Sequence, residues 1–170
     1  MRVLLVAAMT IDGKIARGKH EVIDWSSPED KSMFMRVSRE SGVLIMGRNT
    51  YETLKQPLPG RLHIVLTHRT SSQPALEQVE FTSAPPAVIL DDLARRGYQT
   101  VILAGGAEAN RTFIDARLVD ELWLTLEPVA FGKGISLLGE TSLSLRLRLI
   151  ESVQLNENSL QLRYQVQKDS

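Results

Sequence analysis

The sequence predicts a mainly parallel α/β sheet flanked by helices and finished at one edge by an antiparallel β-hairpin. Three observations carry that expectation. Apolar runs of strand length recur with little charge inside them, the pattern of strands covered on both faces. Segments with helical start and stop signals separate those runs. The last third changes to alternating apolar and polar residues across a short polar connection. No internal repeat, low-complexity tract or linker interrupts the 170 residues, so one domain over 1–170 is expected.

Val3–Met9 opens the series as a strand. The first eight residues also resemble a short signal core, but polar Thr10 and Asp12 interrupt it at once, which favours a buried strand. Ser27-Pro28-Glu29-Asp30 supplies an N-cap, a proline at the first helical position and acids in the first turn, so a helix should run to about Glu40. Val43–Met46 is the next strand, and Thr50–Leu54 is a short helix that Pro57 prevents from extending. Leu62–Thr67 and Thr100–Ala104 are strands on either side of a helix at Ala87–Arg96, which Gly97 stops. Gly106–Ala116 reads as a fourth helix, Glu121–Pro128 as a strand and Gly132-Lys133-Gly134 as a turn. Leu143, Leu145, Leu147 and Leu149 then alternate with Ser144, Arg146 and Arg148. Beyond Asn156-Glu157-Asn158, Leu160, Leu162, Tyr164 and Val166 alternate with Gln161, Arg163, Gln165 and Gln167. That is a hairpin with one wet face, its Arg and Gln stripe turned to solvent.

Twenty basic and twenty acidic residues cancel, which argues against a general grip on nucleic acid, since that needs a basic surplus. The absence of cysteine excludes disulfides, thiolate metal sites and thiol nucleophiles. His20, His63 and His68 lack ligand spacing, so no metal is expected. Ser26 and Ser27 have neither an elbow motif nor a paired histidine. No apolar run approaches the roughly 20 residues that span a bilayer. A cytoplasmic protein without membrane partner, monomeric or homodimeric, is the expectation.

Asp30 stands out. It precedes Met33, Phe34 and Val37 by three, four and seven residues, which puts a carboxylate on the apolar face of its helix. Two readings stay open: Asp30 completes a capping box with Ser27, or it points into a cleft where it meets a donor-rich ligand edge. Gly47-Arg48-Asn49-Thr50 follows one buried strand and opens a helix, and Gly105-Gly106 repeats that arrangement after another. Two anion-ready turns at carboxyl ends of strands suggest a dinucleotide. The G-x-G-x-x-G fingerprint is absent, so the usual dinucleotide fold is not indicated.

Ile45-Met46-Gly47-Arg48-Asn49-Thr50-Tyr51-Glu52-Thr53-Leu54, followed by Pro57-Leu58-Pro59-Gly60-Arg61-Leu62-His63-Ile64-Val65-Leu66, resembles the dihydrofolate reductase family. Trp25, Pro28, Asp30 and Phe34 are similar to that family's tryptophan and helix-borne acid. Leu122-Trp123-Leu124-Thr125 is similar to the strand whose threonine partners the acid. Met9–Ala16, Gly105-Gly106-Ala107-Glu108 and Leu118–Leu122 look closer to the riboflavin-biosynthesis reductase branch of the same fold. Asp24 stands where a proline usually precedes the tryptophan, and Ala109 where a tyrosine often lies near the nicotinamide.

The resemblance implies NADPH-dependent hydride transfer to 7,8-dihydrofolate, giving tetrahydrofolate for one-carbon metabolism. By its motifs, Asp30 binds the pterin and supports protonation, Thr125 orients Asp30, and Trp25 shapes the loop above. Ala8 contacts the pterin, Phe34 and Leu54 sandwich the aromatic tail, and Arg61 holds the glutamate carboxylate. Ile15 meets the nicotinamide; Gly47, Arg48, Asn49, Thr50, Thr67, His68 and Arg69 line the adenosine phosphate side; Gly105 and Gly106 receive the pyrophosphate. The alternatives are a pyrimidine reductase acting on a ribosylamino-pyrimidine phosphate, or a non-catalytic nucleotide-binding protein.

Overall fold

The computed structural model describes residues 1–68 and 76–168. Its elements run β1 (Arg2–Thr10), β2 (Lys14–Ala16), α1 (Pro28–Ser41), β3 (Val43–Gly47), α2 (Arg48–Glu52), β4 (Leu62–Leu66) and β5 (Val79–Thr82). Then follow α3 (Pro86–Arg95), β6 (Thr100–Leu103), α4 (Ala107–Asp115), β7 (Glu121–Glu127), β8 (Ile135–Ser136), β9 (Arg146–Gln154) and β10 (Leu160–Gln167). Eight strands form one sheet in the order β5-β4-β3-β6-β1-β7-β10-β9, while β2 and β8 pair separately. From β5 to β7 every pairing is parallel; β10 runs antiparallel to both β7 and β9. The expected mainly parallel sheet with an antiparallel edge is the fold observed.

The unbroken apolar character of β1 follows from its central place. Val3 and Leu5 pack into one core with Ile89, Leu90 and Leu93 of α3 and Phe113 and Ile114 of α4. Leu4 and Val6 pack into the opposite core with Met33 and Val37 of α1. Successive residues of a strand point to opposite faces, so a strand with helices on both sides has no position left for a solvated residue.

Helix α1 starts and stops where its signals say. The Ser27 hydroxyl accepts the Asp30 N–H at 3.2 Å, and Gly42 closes the helix in the left-handed region at φ 74°, donating to the Ser38 carbonyl. In the Gly132-Lys133-Gly134 turn, a Cβ on Gly134 would stand 2.6 Å from the Ala16 carbonyl, so β2 approaches closely only because that side chain is absent.

The C-terminal hairpin corrects one expectation. Its Arg and Gln stripe is solvated at Arg146, Arg148, Gln165 and Gln167 but not throughout: Gln161 is fully buried opposite Thr125, whereas Leu160 is 37% exposed. Arg163 lies over the Trp123 ring at 4.0 Å. The reason is that the face of β7 and β10 beneath α1 is polar, carrying Thr125 and Glu127, and Gln161 belongs to it by register. Leu147, Leu149 and Ile150 of β9 are exposed instead, because β9 is the outermost strand and the register slips between Arg163 and Tyr164. Leu143 and Leu145, expected in the hairpin, precede the strand and pack against the α3–α4 core. Strands β2, β5 and β8 were not among the expected elements.

Candidate active site

A cleft of about 1040 Å³ opens at the carboxyl ends of β1, β3, β4 and β6. Val6, Ala7 and Ala8 of β1, Met46 and Gly47 of β3, Leu66 of β4 and Ala104-Gly105 after β6 form its floor. Asp30, Lys31, Phe34 and Met35 of α1 form one wall, and the first turns of α4 form part of another. Ligands of open α/β sheets bind in this position, where neighbouring strands send their connections to opposite faces.

Asp30 reaches the cleft with 6% of its surface exposed. Burial pushes its carboxyl above the ordinary carboxylate range. The nearby Thr125 hydroxyl opposes that shift, the Glu127 charge adds to it, and Ser26 and Lys31 oppose it more weakly. Thr125 Oγ1 is itself buried with no hydrogen bond formed among the described residues. The structure also resolves the capping question. A capping box would need the Asp30 carboxylate to take the Ser27 N–H, but that N–H donates to Glu127 Oε1 at 2.7 Å. The Asp30 side chain is therefore not the cap, and only its backbone N–H takes part.

On the other side of the cleft, the two glycine turns are stitched together by the Gly47 N–H, which donates to the Gly105 carbonyl at 2.8 Å. Gly105 has φ 87° and is joined to Gly106 by a cis peptide. Gly106 is the N-cap of α4 and brings no side chain to the helix end, so no side-chain cap competes there with a ligand oxygen. A Cβ on Gly106 would lie 3.2 Å from Thr50 Oγ1, which leaves backbone as the cleft surface at that point. Arg48, Asn49, Thr50, Thr67 and His68 all line this half. Arg48 Nε is held by Glu52 at 2.6 Å, one helical turn further on.

Of the residues expected at the site, Ala8, Ile15, Phe34 and Leu54 line the cleft with Asp30, Gly47 to Thr50, Thr67, His68, Gly105 and Gly106. Three do not. Thr125 faces Asp30 from behind, on β7. Trp25 turns its ring edge-on to Phe131, with centroids 5.2 Å apart and its indole nitrogen buried without a partner among the described residues. Arg61 is 1% exposed behind Met35: its guanidinium donates to Ser38 Oγ at 2.8 Å and to the Pro59 carbonyl at 3.2 Å, while Nη2 has no partner among the described residues. Burial, then the nearby Arg39 charge, lowers its pKa. Arg69 lies outside the described residues. Sequence reasoning set Ser26 aside as a nucleophile and did not single out Lys31, the Thr82-Ser83-Ala84 segment at the end of β5, or Asn110, whose Nδ2 donates to the Leu137 carbonyl at 2.8 Å. Lys31 carries a readable signal, a cation beside the helix-borne acid. Asn110 carries none, because a polar residue one turn into a helix is ordinarily solvated.

The dihydrofolate reductase family model matches residues 2–131. The chain belongs to that family. Dihydrofolate reductase type 9 from Escherichia coli is 31% identical over 168 residues, which cover 95% of this chain and 90% of that protein. Among solved structures, a putative riboflavin biosynthesis protein from Shewanella sp. PV-4 superposes with a TM-score of 0.82 at 24% identity, covering 99% of this chain and all of the other. Dihydrofolate reductase from Enterococcus faecalis, solved with NADP(H) and RAB-propyl, gives 0.75 at 22% identity, covering 98% and 97%. Both superpositions speak to the fold, which the two reductase branches share. The family match ends at residue 131, so β8 and the β9–β10 hairpin lie beyond it.

Proposed function

We propose that this member of the family reduces 7,8-dihydrofolate with NADPH. The observation that supports this most directly is the Asp30 carboxyl, which is buried at the cleft, released from capping and pushed toward its protonated form. A ligand edge with an amino group beside a ring N–H presents two parallel donors, which a carboxylate accepts in a fork. The same group, holding its proton to higher pH than an exposed acid, can support protonation of the neighbouring ring nitrogen through water.

The residues present fit a dinucleotide. The Gly47 and Gly105-Gly106 turns offer a backbone surface to a pyrophosphate, and Arg48, Thr50 and His68 lie beside it. When bound, a reduced nicotinamide supplies the hydride; the chain supplies alignment, exclusion of water and a buried acid. Phe34, Leu54 and Met35 provide an apolar slot beyond Asp30 for an aromatic tail. Arg61 would meet a carboxylate only with Met35 turned aside.

That last feature favours a second reading. Lys19, His20, Lys31, Arg48 and His68 all line the cleft, whereas Arg61 is shut away. A phosphorylated ribosylamino-pyrimidine would use cations such as Lys19, Lys31 and Arg48, with the imidazoles as further donors, and would need no cation behind Met35. Following NADPH absorbance with dihydrofolate and, separately, with the pyrimidine phosphate distinguishes the two. Turnover of dihydrofolate at least about tenfold faster is expected. Reduction of the pyrimidine phosphate alone would replace the folate reading.

A further inference from the structure

Glu127 ends β7 and is 1% exposed, a carboxylate that no cation pairs among the described residues. Its oxygens are committed to hydroxyl and amide donors. Oε1 accepts the Ser27 N–H at 2.7 Å and the Ser27 hydroxyl at 2.8 Å; Oε2 accepts the Ser159 hydroxyl. The Ser27 hydroxyl, while donating its hydrogen bond to Glu127, accepts the Asp30 N–H. A continuous chain of hydrogen bonds therefore runs from the β9–β10 turn through Glu127 and Ser27 to the backbone of Asp30. A second link joins the same two elements, since Asn156 Nδ2 donates to Glu29 Oε2 at 2.9 Å while its Oδ1 accepts the N–H groups of Asn158 and Ser159.

Resting on the role given to Asp30 above, we propose that Glu127 is a positioning residue for that acid: its carboxylate ties the N-cap of α1, and with it the backbone of Asp30, to β7 and the hairpin turn. Glu127 also opposes ionisation of Asp30 through its field, behind the larger effect of burial. Among the described residues, Glu127 of β7 is an acid from another element that acts on Asp30, whereas Glu21, which also lines the cleft, is paired with Arg17. On α1 itself, Lys31 opposes it and Glu29 is engaged by Asn156. Of β1, Ala8 stands beside Thr125 and Thr10 beside Glu127, neither of them charged. From β10, Gln161 and Ser159 are uncharged, and Arg163 is taken by Glu151 and the Trp123 ring. Glu127 thus acts on the acid in two ways, through the Ser27 hydrogen bonds and through its field.

The test follows the Asp30 carboxyl by carbon NMR in protein labelled at aspartate, with Asp30→Asn assigning the resonance. In Glu127→Gln the titration midpoint of Asp30 should fall by about one pH unit, the scale of a nearby like charge. The alkaline limb of the turnover profile should move down with it, with KM for the cofactor unchanged. Ser159→Ala keeps the charge and removes one donor, so it should lower thermal stability yet leave the midpoint within about 0.3 of wild type. A merely structural Glu127 would lower stability in both variants and leave the Asp30 titration in place, and that result overturns the proposal. Should Glu127→Gln not fold, Glu127→Asp carries the test: it keeps the charge but draws it back from Ser27. Its kcat with whichever substrate turns over should fall at least about fivefold with the midpoint still raised, and an unchanged kcat overturns the anchoring role. The titration needs no substrate, so failure of the folate reading leaves it standing, and its own failure leaves that reading untouched.

Discussion

At the scale of single residues, Asp30 sets stability against chemistry. Burial raises its pKa, so the folded chain holds a proton that the unfolded chain has already released. The stability this group contributes is full below the ordinary carboxylate value near 3.8 and is lost as pH rises through the folded pKa. At neutral pH the native state therefore carries a poorly solvated acid. Asp30→Asn should fold, and at pH 7 its thermal midpoint should rise by about 2–4 °C for each kcal/mol relieved, with no gain at pH 4. Turnover at pH 7 should fall at least about a hundredfold and recover in part at low pH, where substrate protonated in solution bypasses the route. Scanning calorimetry and steady-state rates on the same preparation check both halves; a midpoint lowered at pH 7 would mean that the acid is structural. The apolar stripe of α1 made this residue visible in the sequence, since an acid three residues before Met33 has no solvated face to occupy. What local pattern left open was the cap. The competitor for the Ser27 N–H lies 100 residues away on β7, and no window along the chain contains both.

At the scale of elements, β4 is fastened to its neighbours through a buried histidine. His63 is fully buried, its Nε2 accepts the Leu58 N–H at 3.1 Å, and its Nδ1 faces the Gln78 carbonyl at 3.3 Å. Those partners select the neutral ring with the proton on Nδ1, joining the Pro57–Gly60 turn to the start of β5. Burial is the leading cause that pushes the His63 pKa down from 6.5. The unfolded chain then binds a proton that the folded one refuses, so this contribution is intact above pH 6.5 and is lost as pH falls below it toward the folded value. Asp30 acts in the opposite sense, so the informative quantity is a difference between variants. His63→Leu should be less stable than wild type at pH 7.5 by about 1–3 kcal/mol, the range for a buried donor left unpaired. The gap should narrow between pH 7 and 5 in urea denaturation. Parallel pH dependences would show that His63 does not titrate in this way. Elements of this kind were legible where burial is two-sided: the middles of β1, β3, β4 and β6 are apolar, His63 excepted, because both faces are covered. Strands of two or three residues, as in β2 and β8, have no period to read. The hairpin misled because its leucines alternate as a buried face would, while the partner of β10 at Gln161 is Thr125, in a polar layer that only the sheet register creates.

At the scale of the whole molecule, the cleft joins parts of the chain that meet only through the parallel sheet. Gly47, Thr67 and Gly105 come from three different crossovers, and Ala8 and Asp30 from a fourth stretch. A ligand that spans them binds the native state alone and stabilises it by mass action, by about 2.7 kcal/mol at a hundred times its Kd. For a chain of this size that corresponds to a rise of roughly 5–10 °C in Tm. Under the proposed function the ligand is NADPH, and the residue that should separate it from NADH is Arg48. Its present partner, Glu52, is partly exposed and one turn away in the same helix, an arrangement worth about 0.3–0.5 kcal/mol. A doubly charged phosphate offers the guanidinium a fork of acceptors, so exchanging Glu52 for a 2′-phosphate costs little and gains a charge-assisted pair. NADPH should therefore raise the Tm of the wild-type chain more than an equal concentration of NADH does. Arg48→Ala should shrink the NADPH shift toward the NADH value and leave the NADH shift nearly unchanged. Both shifts are measured by the same thermal ramp with each cofactor in excess, away from any substrate. Equal loss for the two would place Arg48 on the part of the dinucleotide they share; no loss for either would place it outside the cofactor's reach.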